Sequence, residues 1–238
     1  MTMKQRKVVG RKSRSGWPRV LRRWVLFGVM LLALWWGRGV DRSDLRPEAG
    51  FEPAGSGEVN EEGYRVLKGA RLVDHRRNDG DSFFVAHRGA EYEMRLYFVD
   101  CPEKYMAEHN AKRLGHQARY FGGSGLKEMV EVGLEAKEFT RRLLAKRPFD
   151  VHTNWEGVYG NDRHYCFVVL EDGSYLSGHL VTAGLARIYT KGEPAPDGRS
   201  VKQFKRHLQG LEQEAKQAGR GAWGLRQSQA GSFEENTR

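Results

Sequence analysis

DGDSFFVAHRGAEYEMRLYFVDCPE, residues 79–103, is the stretch that decides the fold of this chain. Ser82–His87 and Glu91–Val99 are apolar segments with strand-like composition, and Glu91–Val99 also shows alternation. The turn between them, Arg88-Gly89-Ala90, holds a glycine that accepts a positive φ. A third strand-like segment, Lys68–His75, precedes them across an Asn-Asp-Gly turn. The three segments together predict a three-stranded meander.

Helical and strand-like segments alternate after Pro102, which stops the third strand. Residues 104–146 predict helix with a break at 122–125, and the clearest helical pattern is Gly133–Lys146. Further elements follow in the order strand, strand, short helix, brief strand and helix: Phe149–Trp155, His164–Leu170, Ser174–Gly184, Leu185–Tyr189 and Lys202–Ala218. Five strands with helices inserted between and after them predict an α+β fold, and a small closed antiparallel barrel would bury the strand patterns.

The positive charge of the chain is concentrated at one end. The 238 residues carry a net charge of +10, but residues 1–40 contain ten Lys and Arg and no acidic residue. The remaining 30 basic residues balance all 30 acidic ones, so the high charge is no evidence that the folded part binds nucleic acid. A hydrophobic content of 39% excludes wholesale disorder, and two cysteines exclude a disulfide scaffold or a four-cysteine zinc site.

Residues 1–40 are predicted to be a basic leader with an apolar run at 24–36. Thirteen helical residues span about 20 Å, which is short of a bilayer core of about 30 Å and suits a signal peptide. No Ala-x-Ala site follows, and Trp35-Trp36 suits a membrane interface, so an uncleaved anchor helix stays equally open. Either interpretation predicts export: the rest of the chain would be secreted, periplasmic or anchored outside. Residues 41–62 are predicted to be a flexible linker, and 227–238 a disordered tail.

Three polar segments border the predicted strands where folding does not require them. They are Asp79-Gly80-Asp81-Ser82, the segment from Arg95 to Glu103, and Tyr159-Gly160-Asn161-Asp162-Arg163. Each alone is usually a solvated turn, an ion pair or a helix start. Together, carboxylates and arginines at one barrel end suggest a divalent cation beside a phosphate clamp. In a regular strand, however, Arg95 and Asp100 would lie on opposite faces.

These segments, in this order, resemble the staphylococcal nuclease (thermonuclease-like) family. The resemblance extends over residues 64–225 and includes further segments at Asp172-Gly173, 180–186 (LVTAGLA) and 219–223 (GRGAW). It implies a domain at 63–226 with a five-stranded OB-fold β-barrel and about three helices. It also implies a Ca²⁺-dependent phosphodiesterase (with Mg²⁺ or Mn²⁺ as alternatives) that acts on DNA and RNA and leaves a 3′-phosphate.

The resemblance also implies roles for individual residues. Asp81, Asp100 and the backbone carbonyl of Cys101 would bind the metal ion. Arg95 and Arg163 would bind the scissile phosphate, and Glu103 would position or deprotonate the attacking water. Asp79 and Ser82 would have supporting roles.

The chain departs from the family pattern at an insert spanning about residues 104–132. We hypothesise that this insert borders the substrate groove and that Arg113 and Arg119 contact phosphates; a solvated helix covering the barrel is the alternative. Tyr159 is expected either to stack on a base or sugar or to be a core tyrosine. A disulfide between Cys101 and Cys166 is a further option, since the chain is predicted to be exported.

Two functions remain open from the sequence. The first is an exported, metal-dependent nuclease, and the alternative is a non-catalytic nucleic-acid-binding OB-fold module tethered to the membrane. The presence of Asp81, Arg95, Asp100 and Glu103 favours the enzyme. The expected partners are DNA or RNA, and a membrane if the leader is retained; no protein partner is implied, and a monomer is expected.

Overall fold

Five strands form a closed barrel in the computed structural model, which describes residues 58–159 and 162–225. A two-residue strand, β1 (Glu58–Val59), precedes them and pairs with the first barrel strand. The barrel strands are β2 (Arg65–Leu72), β3 (Ser82–His87), β4 (Ala90–Leu96), β6 (Phe149–Gly157) and β7 (Arg163–Val169). They are hydrogen-bonded in the order β2-β3-β4-β7-β6, and β6 pairs with β2 to close the sheet. This mixed α+β architecture fits an OB-like fold.

One pairing in the barrel differs from the antiparallel arrangement that the sequence predicted. β4 and β7 run parallel, with Arg95 opposite Tyr165, whereas the other neighbouring barrel strands are antiparallel. A parallel pair needs a long crossover connection, and here the chain between β4 and β7 includes two helices and β6. The prediction of an entirely antiparallel barrel is therefore wrong.

The described residues contain four α-helices, the number that the helical segments of the sequence predict and one more than the resemblance implies. They are α1 (Glu108–Tyr120), α2 (Leu126–Leu144), α3 (Leu176–Thr182) and α4 (Val201–Gln217), and a short 3₁₀ helix follows at Gly221–Gly224. The predicted insert thus consists of α1 and the first part of α2. Helix α2 begins at Leu126, seven residues before Gly133, where the clearest helical pattern starts. Gly133 lies inside the helix, at a close contact with the backbone of Pro102 and Glu103.

The strand predicted at Glu91–Val99 is interrupted. Strand β4 ends at Leu96, and Phe98 adopts a φ of +67°. Beyond this kink, β5 (Val99–Asp100) leaves the barrel and pairs antiparallel with β8 (Arg187–Ile188). The kink removes the regular alternation of faces, so Asp100 comes to the same side as Arg95. The strand is not regular here, so the condition under which the two residues would lie on opposite faces is not met.

The hydrophobic core fills the barrel and continues beneath the helices. Phe83, Val85, Met94 and Leu96 are almost fully buried strand residues. Helices α1, α2 and α4 cover the core with buried apolar side chains, among them Leu114, Met129 and Leu208. Burial of these side chains is the main stabilising contribution that fixes the helices against the barrel.

Several predictions concern residues outside the described ranges. The leader at 1–40, the tail at 227–238 and most of the linker lie outside them, but Glu58–Val59 places a short strand inside the predicted linker. In residues 58–159 and 162–225, no helix is long and apolar enough to cross a membrane.

Candidate functional site

Arg95 lies at the centre of the candidate site. The register of β3 and β4 puts Ser82 directly opposite Arg95, and the turn before β3 brings Asp81 beside it. The guanidinium donates from Nη1 to Asp81 Oδ1 at 2.8 Å and from Nη2 to Asp100 Oδ1 at 2.8 Å. Nη1 also lies 3.2 Å from the hydroxyl of Ser82. The side chain is only 9% exposed, so this ion-pair cluster is nearly dry.

Asp100 is surrounded by positive charge. Antiparallel pairing of β5 with β8 places Arg187 opposite Asp100, and Arg187 Nε donates to Asp100 Oδ2 at 2.7 Å. From α1, Arg113 donates to Oδ1, and Gln117 Nε2 donates to Oδ2 at 2.9 Å. Burial opposes ionisation of Asp100, but Arg95, Arg113 and Arg187 outweigh it and lower the pKa of Asp100 to about 2. Asp100 is therefore ionised at neutral pH.

Asp81 has a different electrostatic environment. Its Oδ2 accepts a 2.5 Å hydrogen bond from the backbone N–H of Cys101. Burial raises the pKa of Asp81 to about 6, and the nearby charge of Asp100 adds to the rise, although Arg95 offsets part of it. The two carboxylates on either side of Arg95 thus differ in their affinity for a proton.

Helix α2 supports the loops that carry these carboxylates. Gly133 approaches the backbone so closely that a Cβ there would lie 2.5 Å from the carbonyl oxygen of Glu103. At Gly80, a Cβ would lie 2.7 Å from both the Cβ of Ala136 and Sγ of Cys101. Only glycine permits these two approaches, which hold the Asp79–Asp81 turn and Glu103 against α2.

Glu103 faces the cavity on one side of Arg95, of about 580 Å³, called here the first cavity. Four carboxylates line it, and each pairs with a different cation. These pairs are Asp79–Lys104, Asp81–Arg95, Glu93–Arg77 and Glu103–Arg113. Arg76 and Arg163 also line the cavity, and within residues 58–159 and 162–225 neither forms an ion pair with a carboxylate. The first cavity therefore has an excess of positive charge.

The cavity on the other side of Arg95, of about 850 Å³, is called here the second cavity. Arg95, Arg113 and Arg163 line both cavities, so these guanidinium groups separate them. Helix α1 contributes His109, Lys112 and His116 to the second cavity, and exposed aromatic rings come from Tyr159 and Tyr189. The ring of Tyr189 lies 3.9 Å from the Arg187 guanidinium. Cations next to exposed aromatic rings are typical of surfaces that bind single-stranded nucleic acid.

The family assignment agrees with this arrangement. The sequence model described as staphylococcal nuclease homologue matches residues 93–224, more than half of the chain. The chain belongs to this family. No curated protein matches the chain. The match includes Arg95, Asp100, Glu103 and Arg163 and begins after Asp81. Members of this nuclease family are generally phosphodiesterases and are typically Ca²⁺-dependent.

The structure brings most of the predicted site residues together. Six of them line the first or the second cavity: Asp81, Arg95, Asp100, Cys101, Glu103 and Arg163. Asp79 lines the first cavity too, and its Oδ1 lies 3.0 Å from Lys104 Nζ. Nη1 of Arg163 is 3.3 Å from the hydroxyl of Ser82. The structure brings these residues together, and their roles stay predictions.

Three predictions need correction. Tyr159 is 90% exposed, so the core alternative is wrong. Arg119 is exposed and lines neither cavity, whereas Arg113 binds two carboxylates of the site itself. Cys101 and Cys166 are both free and buried, so the disulfide option is wrong as well.

Sequence reasoning missed three residues of the candidate site. Gln117 is fully buried and donates both to Asp100 and, at 2.9 Å, to the carbonyl oxygen of Cys101. Gln117 lies one helical turn after Arg113, so helical spacing could have linked the two. Arg187 and Tyr189 are two residues apart in the brief strand predicted at 185–189, so strand alternation could have linked them.

The metal-binding role of the nuclease family does not fit the donor atoms in this arrangement. Asp81 and Asp100 each accept hydrogen bonds at both carboxylate oxygens, and the Cys101 carbonyl accepts one from Gln117. Ca²⁺ requires six to eight oxygen ligands whose lone pairs face the ion. In the part of the chain that the structure describes, no three His, Cys, Asp or Glu side chains are grouped to hold a metal ion.

Proposed function

We propose that this protein is a nuclease that hydrolyses phosphodiester bonds of DNA or RNA. The charge balance of the first cavity carries the proposal. Its four carboxylates are each paired, and Arg76 and Arg163 remain for an anionic ligand. A phosphodiester carries one negative charge and accepts hydrogen bonds from guanidinium groups in a fixed geometry. The family assignment supports the same function.

The reaction can be written with groups of this chain alone. A water molecule attacks phosphorus in line with the leaving 5′ oxygen, and Glu103 accepts the proton that the water loses. The bond between phosphorus and the 5′ oxygen breaks, and the leaving oxygen takes a proton from solvent. The products are a 3′-phosphate and a 5′-hydroxyl. Arg76 and Arg163 line the same cavity without a carboxylate partner among the described residues, and they would offset the charge that develops on the equatorial oxygens.

The second cavity favours a single-stranded substrate. Tyr159 and Tyr189 are exposed by 90% and 64%, and both lie near cationic side chains of the same cavity. Stacking of bases on such rings contributes about 1–3 kcal/mol per base and tolerates any sequence. A duplex offers no free base faces, so we expect single-stranded DNA or RNA to bind more tightly.

Export of the nuclease belongs to the proposal and rests on the sequence of residues 1–40. Its support is the basic segment that precedes the apolar run at 24–36. Ca²⁺, with Mg²⁺ or Mn²⁺ as alternatives, is the cofactor typical of the family. Because the corresponding oxygens are already paired with protein donors, no step above depends on a metal.

The test compares fragment release from a single-stranded DNA by the purified full chain and by Glu103→Ala. Both are assayed with Ca²⁺, with Mg²⁺ and with chelator. Release by the wild type under any of these conditions, with a loss of at least about 10²-fold in Glu103→Ala, supports the nuclease. The matched control is Glu135→Ala, which removes an exposed carboxylate on α2 and should leave the rate unchanged.

One observation favours a second function, a non-catalytic nucleic-acid-binding module. Glu103 Oε1 accepts from Arg113 Nη1 at 2.7 Å, so this oxygen is already occupied by a protein donor and is not free to contact an attacking water. A folded wild-type chain that binds DNA but releases no fragments under any condition would establish this alternative.

A further inference from the structure

We propose that Arg113 and Gln117 of helix α1 take the place of the divalent cation, so that hydrolysis by this chain requires no Ca²⁺. The inference rests on the proposed nuclease function and concerns the means by which its acidic groups are neutralised. It departs from the typical metal dependence of the family and follows from contacts that the insert makes.

The first step of the argument concerns the atoms that α1 occupies. Arg113 and Gln117 are four residues apart, so their side chains project from the same face of the helix. Arg113 bridges Asp100 and Glu103, and Gln117 Nε2 bridges Asp100 Oδ2 and the Cys101 carbonyl, at 2.9 Å each. Two of the three groups predicted to hold a metal ion, Asp100 and the Cys101 carbonyl, thus receive hydrogen bonds from α1.

The second step concerns burial. Gln117 is fully buried, and Asp100 is 1% exposed. Moving Gln117 away would leave the Cys101 carbonyl without this donor and Asp100 Oδ2 with Arg187 alone, and an unsatisfied buried acceptor is costly. Arg187, whose side chain is 4% exposed, fixes Asp100 from the opposite side through strand pairing. Both oxygens of Asp100 thus already have protein donors, which a bound ion would have to displace.

The third step concerns charge. The ion-pair cluster holds three carboxylates, Asp81, Asp100 and Glu103, and three guanidinium groups in contact with them, Arg95, Arg113 and Arg187. The cluster is therefore neutral before any ligand binds, and Arg163 adds the positive charge that a phosphodiester requires. A bound Ca²⁺ would add two charges that no described carboxylate of the cluster compensates. Such an excess is unfavourable beside buried members of the cluster such as Asp81, Asp100 and Arg95.

The experiment measures Ca²⁺ binding and hydrolysis separately. Isothermal titration with Ca²⁺ alone is carried out on the full-length wild type, on Arg113→Ala and on Arg142→Ala. Arg142 is an exposed arginine on α2 and serves as the matched control. Fragment release from single-stranded DNA is measured for the same proteins in chelator and in Ca²⁺.

The expected result is a wild type without saturable Ca²⁺ binding in the millimolar range, whose rates in chelator and in Ca²⁺ agree within about twofold. Arg113→Ala should gain Ca²⁺ binding because Asp100 and Glu103 lose their shared cation. Its rate in chelator should fall at least about tenfold and recover in part with Ca²⁺. Arg142→Ala should behave as the wild type in both measurements.

Saturable Ca²⁺ binding by the wild type, or hydrolysis that stops in chelator, would overturn the inference and leave the nuclease function intact. Absence of Ca²⁺ binding from both the wild type and Arg113→Ala would also overturn it, because Arg113 would then not be the group that replaces the ion. If no protein releases fragments, the nuclease proposal fails, and the titrations alone decide the inference.

Discussion

Replacing Gly133 by alanine should separate catalysis from stability. The added Cβ would lie 2.5 Å from the carbonyl oxygen of Glu103 and 2.6 Å from that of Pro102. An ordinary contact begins at 3.4 Å, so helix α2 or the loop must move by about 0.9 Å. Misplacement of a catalytic group by about 1 Å can lower a rate about 10²-fold. We therefore expect kcat to fall by about that factor.

Stability should change much less. Overpacking costs about 1–3 kcal/mol, while alanine gains about 1 kcal/mol of helix propensity over glycine, so the net loss is about 0–2 kcal/mol. Urea unfolding gives the stability, and initial rates of DNA cleavage give the activity. Gly210→Ala is the matched control, because Gly210 is exposed inside α4 with no atom within 4 Å of an added Cβ. It should gain about 1 kcal/mol at unchanged activity. Wild-type cleavage rates in Gly133→Ala would refute the claim that α2 positions Glu103.

Three further outcomes are expected. Arg163→Ala should lower kcat/KM about 10²-fold while changing the melting temperature little, since Arg163 has no carboxylate partner among the described residues; a large loss of stability would contradict this role. The logarithm of KM should depend weakly on that of salt concentration: two or three phosphate contacts predict a slope of magnitude about 2 for a single strand, and a magnitude above about 4 would be incompatible with so few contacts. Burial lowers the pKa of His152 below its usual 6.5. Just below pH 6.5, His152 is therefore protonated in the unfolded chain but still neutral in the folded chain. Stability should therefore decrease as the pH falls below 6.5, by at most about 1.4 kcal/mol per pH unit, and urea midpoints of His152→Gln should lack this component.

Local signals in the sequence predicted much of the fold. Strand β3 has the predicted bounds, and α4 begins and ends one residue before the predicted helix. Both depend on patterns read within one segment: apolar strand residues between turns, and a helical apolar face that ends near a glycine. Elements defined by such patterns change little when the chain becomes compact.

The interruption after Leu96 could not be predicted in the same way. Phe98 has a positive φ, a conformation that the sequence gives no reason to assign to phenylalanine. Its backbone N–H and carbonyl bond to Lys191 and Tyr189, which are remote in sequence. The position of Asp100 beside Arg95 results from this long-range pairing. The ordered motifs could therefore identify the site residues but not their mutual contacts.

The ion pairs of the first cavity show how a domain with no net charge over residues 41–238 could still bind phosphate. A cluster of carboxylates without partners would repel the phosphates of a nucleic acid and would need a bound cation to accept them. Here each carboxylate of the first cavity has its own cationic partner from the chain. The overall balance of 30 acidic and 30 basic residues thus conceals a local excess at Arg76 and Arg163. Recognition of phosphate would depend on these few unpaired guanidinium groups, and the net charge of the domain would contribute little.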